Sequence, residues 1–166
     1  MTMPVRTDDF RIAMARLGAA VNVVTTDGRA GRHGLTASAV CSVTDTPPTL
    51  LVCVNRQSRA HPIIEANGAF CVNVLAASHA KLADRFATRG KDAESCFSDV
   101  DSWTILRSGS PVLTDASVAV DCHVIDRHSC GSHDVFFGRV LELRLNETAQ
   151  GLIYFQRTYV PLGGSR

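Results

Sequence analysis

The chain has 166 residues, with 17 basic and 16 acidic side chains and a formal net charge of +1. A balance this close to neutral leaves no electrostatic footprint for DNA, RNA or an anionic membrane surface, so nucleic-acid and membrane partners are set aside. The length fits one domain over residues 1–166 with a sizeable core, and 45% hydrophobic against 20% charged residues is ordinary for a globular chain.

Residues 1–10 include Asp8 and Asp9 and lack the apolar segment of a secretory signal. No uncharged apolar run reaches the ~18 residues that a membrane span requires. The six cysteines, at 41, 53, 71, 96, 122 and 130, then read as free thiols, buried where they fall in apolar runs, rather than as a disulfide framework. A cytoplasmic location is expected.

Thr7 is a candidate N-cap ahead of Asp8 and Asp9, where the helix dipole favours acids. Phe10, Met14 and Leu17 recur at helical spacing, so 7–17 is predicted as a helix with one buried face, stopped by Gly18. Residues 19–26 read as a strand, Asp27-Gly28 as a turn and 31–34 as a loop.

Next comes Gly-Leu-Thr-Ala-Ser-Ala-Val-Cys-Ser-Val-Thr-Asp-Thr-Pro-Pro at 34–48. Its first half has almost no side-chain bulk, and its second half, 40–44, reads as a strand. Bare backbone entering a strand lets a flat ligand lie against N–H groups, and Thr36 and Ser38 add hydroxyls without blocking the approach. The bland alternative is a strand edge packed tightly on another element.

A strand at 49–54 leads to the polar segment 55–59, Asn-Arg-Gln-Ser-Arg, ahead of a short helix at 61–67. Backbone amides there, with the Asn55 amide, the Ser58 hydroxyl and a guanidinium, suit a phosphate; an ordinary solvated loop is the alternative. Residues 69–75 form another strand, 78–88 a helix, and 89–102 a polar loop. Residues 117–127 alternate, with Val118, Val120, Cys122 and Val124 facing one way and Asp121 and His123 the other. A turn at 128–132 leads to a long strand over 133–145, in which Gly138 marks a bulge, and 151–162 supplies a last strand. Six or more strands with three short helices, not alternating regularly, predict an α+β fold built on an antiparallel barrel or sandwich with helices outside.

No dinucleotide-binding glycine fingerprint and no phosphate-loop motif is present. His128, Cys130 and His133 lie within six residues, but their spacing matches no recurrent zinc pattern, so no metal is expected. His133 also reads as an exposed turn imidazole able to hydrogen-bond a ligand. No sequence context marks Cys41 or Cys130 as an activated thiolate. Trp103 is read as core or interface.

Taken together, the 34–48 stretch, Leu-Val-Cys-Val-Asn at 51–55, Phe-Cys-Val-Asn-Val-Leu at 70–75, Gly-Ser-His-Asp at 131–134 and Gly-Leu-Ile-Tyr-Phe-Gln-Arg-Thr-Tyr at 151–159 carry a resemblance. The chain resembles the flavin reductase components of two-component flavin-dependent monooxygenases, in order and over nearly its whole length. Two branches look nearest: the NADH:FMN reductases of pyrimidine (uracil) utilisation and the reductases of 4-hydroxyphenylacetate 3-monooxygenases. Phe10, Met14, Arg56 and the Ser-His-Asp run lean toward the first.

The resemblance implies a Greek-key split β-barrel that binds FMN, with FAD as the alternative, and reduces it with NADH, or else NADPH. It implies a homodimer with flavin near the subunit interface and transient delivery of reduced flavin to a separate monooxygenase. Thr36, Ala37, Ser38, Ala39 and Val40 would lie along the isoalloxazine, and Asn55, Arg56, Gln57 and Ser58 would hold the ribityl phosphate. His133 matches the family's nicotinamide-contacting histidine, and Ser132 stands where many relatives carry an acid. Residues 89–102 match poorly. The competing readings are a flavin-binding sensor on the same barrel, an amine-oxidising enzyme of the pyridoxamine-phosphate oxidase type, and a metal module on His128, Cys130 and His133.

Overall fold

The computed structural model describes residues 3–163. In chain order, helix α1 (Thr7–Met14) precedes β1 (Ala19–Ala20), β2 (Asn22–Thr26), β3 (His33–Ala37), β4 (Val40–Asp45) and β5 (Pro48–Asn55). Helix α2 (Ala60–Asn67), β6 (Ala69–Val74), α3 (Ala80–Ala87) and the short α4 (Ala93–Cys96) follow. A small hairpin, β7 (Trp103–Ile105) and β8 (Pro111–Leu113), leads to the long strands β9 (Val118–Cys130) and β10 (His133–Leu145). The hairpin β11 (Gly151–Phe155) and β12 (Thr158–Leu162) closes the described chain.

Seven strands form one antiparallel sheet in the order β3-β2-β6-β9-β10-β5-β4. Its two edges, β3 and β4, are separated in the chain by Ser38 and Ala39 alone. Three peptide units reach at most roughly 11 Å, so the two edges must meet. The sheet is therefore rolled into a barrel, with 38–39 as its seam. Ala39 O accepts the Cys53 N–H at 3.0 Å, which extends the β4–β5 ladder up to that seam.

The barrel interior holds Val24, Val52, Val54, Ile64, Phe70, Val72 and Phe136. A second apolar cluster, with Val21, Val23, Leu75, Phe86, Phe97 and Leu113, lies under α3, α4 and the small hairpin. Trp103 packs edge-on to Phe86 and Phe97. Because β2 and the first five residues of β6 are buried throughout, neither shows the alternation of a half-exposed strand.

Several sequence expectations shift. Thr7 is the first helical residue and Arg6 the N-cap, with no side-chain bond. Helix α1 ends at Met14, short of the expected Leu17, and buries none of its residues; Phe10 is 57% and Met14 44% exposed, so its apolar face meets a groove instead of core. Residues 33–37 are a full strand, because pairing with β2 needs only backbone and tolerates small side chains. β9 runs on to Cys130, which shrinks the turn to Gly131-Ser132. The last segment is a hairpin turning at Gln156-Arg157, and β1 is split from β2 to pair with β11. Among the thiols, Cys71, Cys96 and Cys122 are buried, whereas Cys41 is exposed because β4 is an edge strand.

Asp121 also departs from the expected pattern. It is fully buried, since β9 is covered on both faces there, and it accepts the Ser108 N–H at 2.7 Å together with the Ser108 hydroxyl. Burial raises its carboxyl above the usual range, although the Ser108 bonds oppose this. A folded-state pKa above the unfolded value means that the group's contribution is complete below about pH 4 and is lost as pH rises through the folded pKa. Asp121→Asn is therefore expected to gain stability relative to wild type between pH 4 and 7 in urea melts. A pH-independent difference would show that the carboxyl does not titrate in that window.

Candidate flavin site

A cavity of about 470 Å³ opens at one end of the seam, lined by β3, the turn after β5 and the segment that follows α3. Thr36 lies on its wall, and its hydroxyl donates to Ala83 O at 2.6 Å, which leaves lone pairs toward the cavity. Ala37 O accepts from Asn22 Nδ2 at 3.0 Å, which pins the strand just before the seam. Ser38 and Ala39 are exposed, and neither N–H donates a hydrogen bond among the described residues. Val40 re-enters the sheet opposite Val52. Of the five residues, Ser38 and Ala39 thus present bare backbone with unspent donors, whereas the Val40 N–H donates to Ser38 O at 2.9 Å and Thr36 and Ala37 are paired with β2.

Asn55 closes the neighbouring turn. Its side-chain oxygen accepts the Gln57 N–H at 2.8 Å, and its carbonyl accepts the Ser58 N–H at 2.9 Å. The Ser58 hydroxyl in turn accepts the Ala60 N–H at 3.3 Å, at the start of α2. Asn55, Gln57 and Ser58 line the cavity, but the Arg56 side chain does not. Its guanidinium donates to Gly131 O and its N–H to Ser132 O at 3.0 Å, which clamps the β9–β10 turn. The cations on the cavity wall are instead Arg59, Arg85, Arg89 and Lys91, and no Asp or Glu stands among its described lining residues. Arg59 belongs to the 55–59 segment already read as suiting a phosphate; for Arg85, Arg89 and Lys91 the available signal was composition, since basic residues flank Gly90.

Cavity size, a one-sided positive wall and a phosphate-sized turn beside bare backbone fit a flavin mononucleotide. FMN would be held along 36–40 and by the Asn55–Ser58 turn with these cations.

His133 is exposed at the β9–β10 turn, opposite Asn55. Its Nδ1 lies 2.9 Å from the Ser132 hydroxyl, and Nε2 makes no hydrogen bond among the described residues. Asp134 cannot stand in for the missing acidic neighbour, because successive strand residues face opposite ways. It is buried instead, with His61 Nε2 at 2.7 Å and Arg127 at 3.2 Å, and Arg127 also reaches Glu65. The Ser129 hydroxyl, then His61 and Arg127, hold the Asp134 carboxyl below the usual carboxylate range. This network fastens the hairpin that carries His133 to α2.

The other cysteine and metal readings gain nothing. Burial pushes the Cys122 thiol up to about 12, so it stays protonated and unreactive. No group of three or more His, Cys, Asp or Glu side chains placed to hold a metal occurs among the described residues. No helix among them is long and apolar enough to cross a membrane.

A barrel whose seam is bare of side chains, with an anion-receiving cavity beside it, defines a flavin-nucleotide-binding split barrel of the α+β class. The chain belongs to the flavin reductase like domain family, which matches residues 14–163. It is 52% identical to the FMN reductase (NADH) RutF of Pantoea ananatis, over 95% of this chain and 82% of that protein. Among solved structures it is similar to BorF, the flavin reductase component of a bacterial two-component tryptophan halogenase. The TM-score is 0.90 at 27% identity, over 96% of this chain and 100% of that one. The NADH:FAD oxidoreductase SgcE6 of Streptomyces globisporus, solved with NAD and FAD fragments, gives a TM-score of 0.87 at 27% identity, covering 98% of each chain.

Proposed function

We propose that this protein is a single-domain, NADH-dependent FMN reductase that supplies reduced flavin to a separate flavin-dependent monooxygenase. The observation that carries the reading is the bare seam at 38–39 running beside a cavity walled by cations. FMN rather than FAD is favoured by the relatives near 50% identity, whose names specify FMN and NADH, against the more distant neighbour named for FAD.

Hydride chemistry belongs to the bound FMN and its reductant NADH, so the chain's task is alignment. The free N–H groups of Ser38 and Ala39 would hold the edge of the flavin ring and favour negative charge there. The small side chains of Ala37, Ser38 and Ala39 would leave room for a second ring to stack on a bound flavin, an alignment that contributes entropically. His133 Nε2 is available to hydrogen-bond the nicotinamide nucleotide. No acidic or basic side chain need transfer a proton for the hydride step.

A homodimer is supported by apolar side chains that the single chain leaves exposed on β4, β9 and β10. Val43 is 47%, Ile125 46%, Leu143 54% and Leu145 62% exposed. A cytoplasmic location follows from the need to meet NADH and the partner oxygenase.

The test is NADH oxidation followed at 340 nm with and without added FMN, FAD and riboflavin. Fast turnover that requires FMN is the expected result; well-folded protein inert with all three flavins would end the reductase reading. His133→Ala is expected to raise KM for NADH about 10-fold, the equivalent of one lost hydrogen bond of ~1.4 kcal/mol, with FMN affinity unchanged. Parallel loss of both would assign His133 to the fold.

A further inference from the structure

Asn55, the last residue of β5, is the register partner of His133, the first of β10. Beyond this pair the two chains part: β5 runs into the 56–59 segment, and β10 connects to β9 through Gly131-Ser132. An exposed hairpin tip held by its ladder alone opens locally at little cost. This tip has further supports.

Two clamps reach it, one on each side of His133. The Arg56 N–H donates to Ser132 O at 3.0 Å, and the Arg56 guanidinium donates to Gly131 O. On the other side Asp134 is buried, with His61 Nε2 at 2.7 Å and Arg127 at 3.2 Å from one carboxylate oxygen. His61 is itself fixed: its backbone N–H donates to Ser58 O at 3.1 Å, and its ring meets Phe136 edge-on with centroids 5.3 Å apart. Glu65, one helical turn further along α2, holds Arg127 at 2.6 Å. Both clamps therefore begin within residues 56–61, beside the turn that suits a phosphate, and end on the residues that flank His133.

We infer that Arg56 and Asp134 are positioning residues for His133, fixing its imidazole relative to the Asn55–Ser58 turn and so to a flavin seated there. The inference rests on the reductase reading and adds the side chains that hold the histidine in place. A displacement of about 1 Å in a substrate-aligning group costs up to about 100-fold in rate, so a side chain on a free hairpin tip gains from being locked at both neighbours. Arg56 thereby has a task other than the phosphate contact its place in the sequence suggests.

The test is steady-state turnover at saturating FMN, with FMN affinity read by fluorescence quenching and folding by thermal melts. Arg56 is exposed, so Arg56→Met should melt with wild type while removing the guanidinium donors. Arg56→Met and Asp134→Asn are each expected to lower kcat/KM for NADH about 10-fold, as loss of one well-placed hydrogen bond does, with FMN affinity within about 2-fold of wild type. Arg56→Lys, which keeps a donor, should recover most of the loss. In a His133→Ala background neither substitution should lower kcat/KM further, because the group they position is gone. Arg56→Met decides by itself should Asp134→Asn melt below the assay temperature.

Loss of FMN affinity in Arg56→Met overturns the inference, since it would make Arg56 a phosphate ligand. A wild-type kcat/KM in either variant removes that residue from the role, and a loss that persists undiminished without His133 would assign both residues to the fold. Wild-type protein that oxidises no NADH with any flavin removes the reductase reading, and amide hydrogen exchange then decides the clamps. Faster exchange at 131–134 in both variants upholds them; unchanged exchange overturns them.

Discussion

Riboflavin is expected to bind at least about 100-fold more weakly than FMN, a difference of ~2.7 kcal/mol. The two ligands differ by one phosphate, and the cavity faces it with Arg59, Arg85, Arg89 and Lys91 and with no described carboxylate. A hydrogen bond to a charged group contributes roughly 1.5–3 kcal/mol, so two well-formed contacts suffice. Arg59, Arg89 and Lys91 are solvent-exposed and their share is screened, whereas Arg85 is half-buried on α3. Arg85→Ala should therefore close about 10-fold of the gap, and raising salt should close part of the remainder. Flavin fluorescence quenching measures both affinities. Equal binding of FMN and riboflavin would mean that these cations serve another anion.

Gly138→Val is expected to destabilise the protein by roughly 3 kcal/mol, and Gly138→Ala by about 1–3 kcal/mol. A Cβ at Gly138 would sit 2.5 Å from Phe70 Cζ and 2.9 Å from Cys122 Cβ. Phe70 and Cys122 are both buried in the barrel interior and have no room to withdraw. The β9–β10 register shifts between Phe137 and Gly138, so the glycine accompanies an irregularity that brings the backbone onto the Phe70 ring. Urea denaturation reads the effect through its midpoint. An unshifted midpoint for Gly138→Ala would show a barrel interior looser than these distances require.

Gly138 was legible as a bulge from sequence, but its contact with Phe70 was not, since 67 intervening residues separate the two in the chain. His133 was singled out as an exposed turn imidazole, and the structure has it exposed at a turn. Its support by Asp134 and His61 was invisible, because a strand residue and a helix residue must first be brought together. Arg56 shows the converse. The sequence places it among phosphate ligands by adjacency, and the fold spends its guanidinium on the neighbouring turn.

By itself the sequence determined the strand-rich class, the bare stretch at 34–39, the polar turn at 55–58 and, through its motifs, the resemblance to flavin reductases. These are local properties: side-chain size, turn chemistry and alternation act within a few residues. Tertiary structure alone decided that β3 and β4 meet at a seam, that Arg85 and Lys91 wall the cavity beside it, and that α1 leaves its apolar face on a groove shared with Arg157. Those facts depend on barrel closure, which joins the sheet's first and last strands and so is set by the pairing of all seven strands at once.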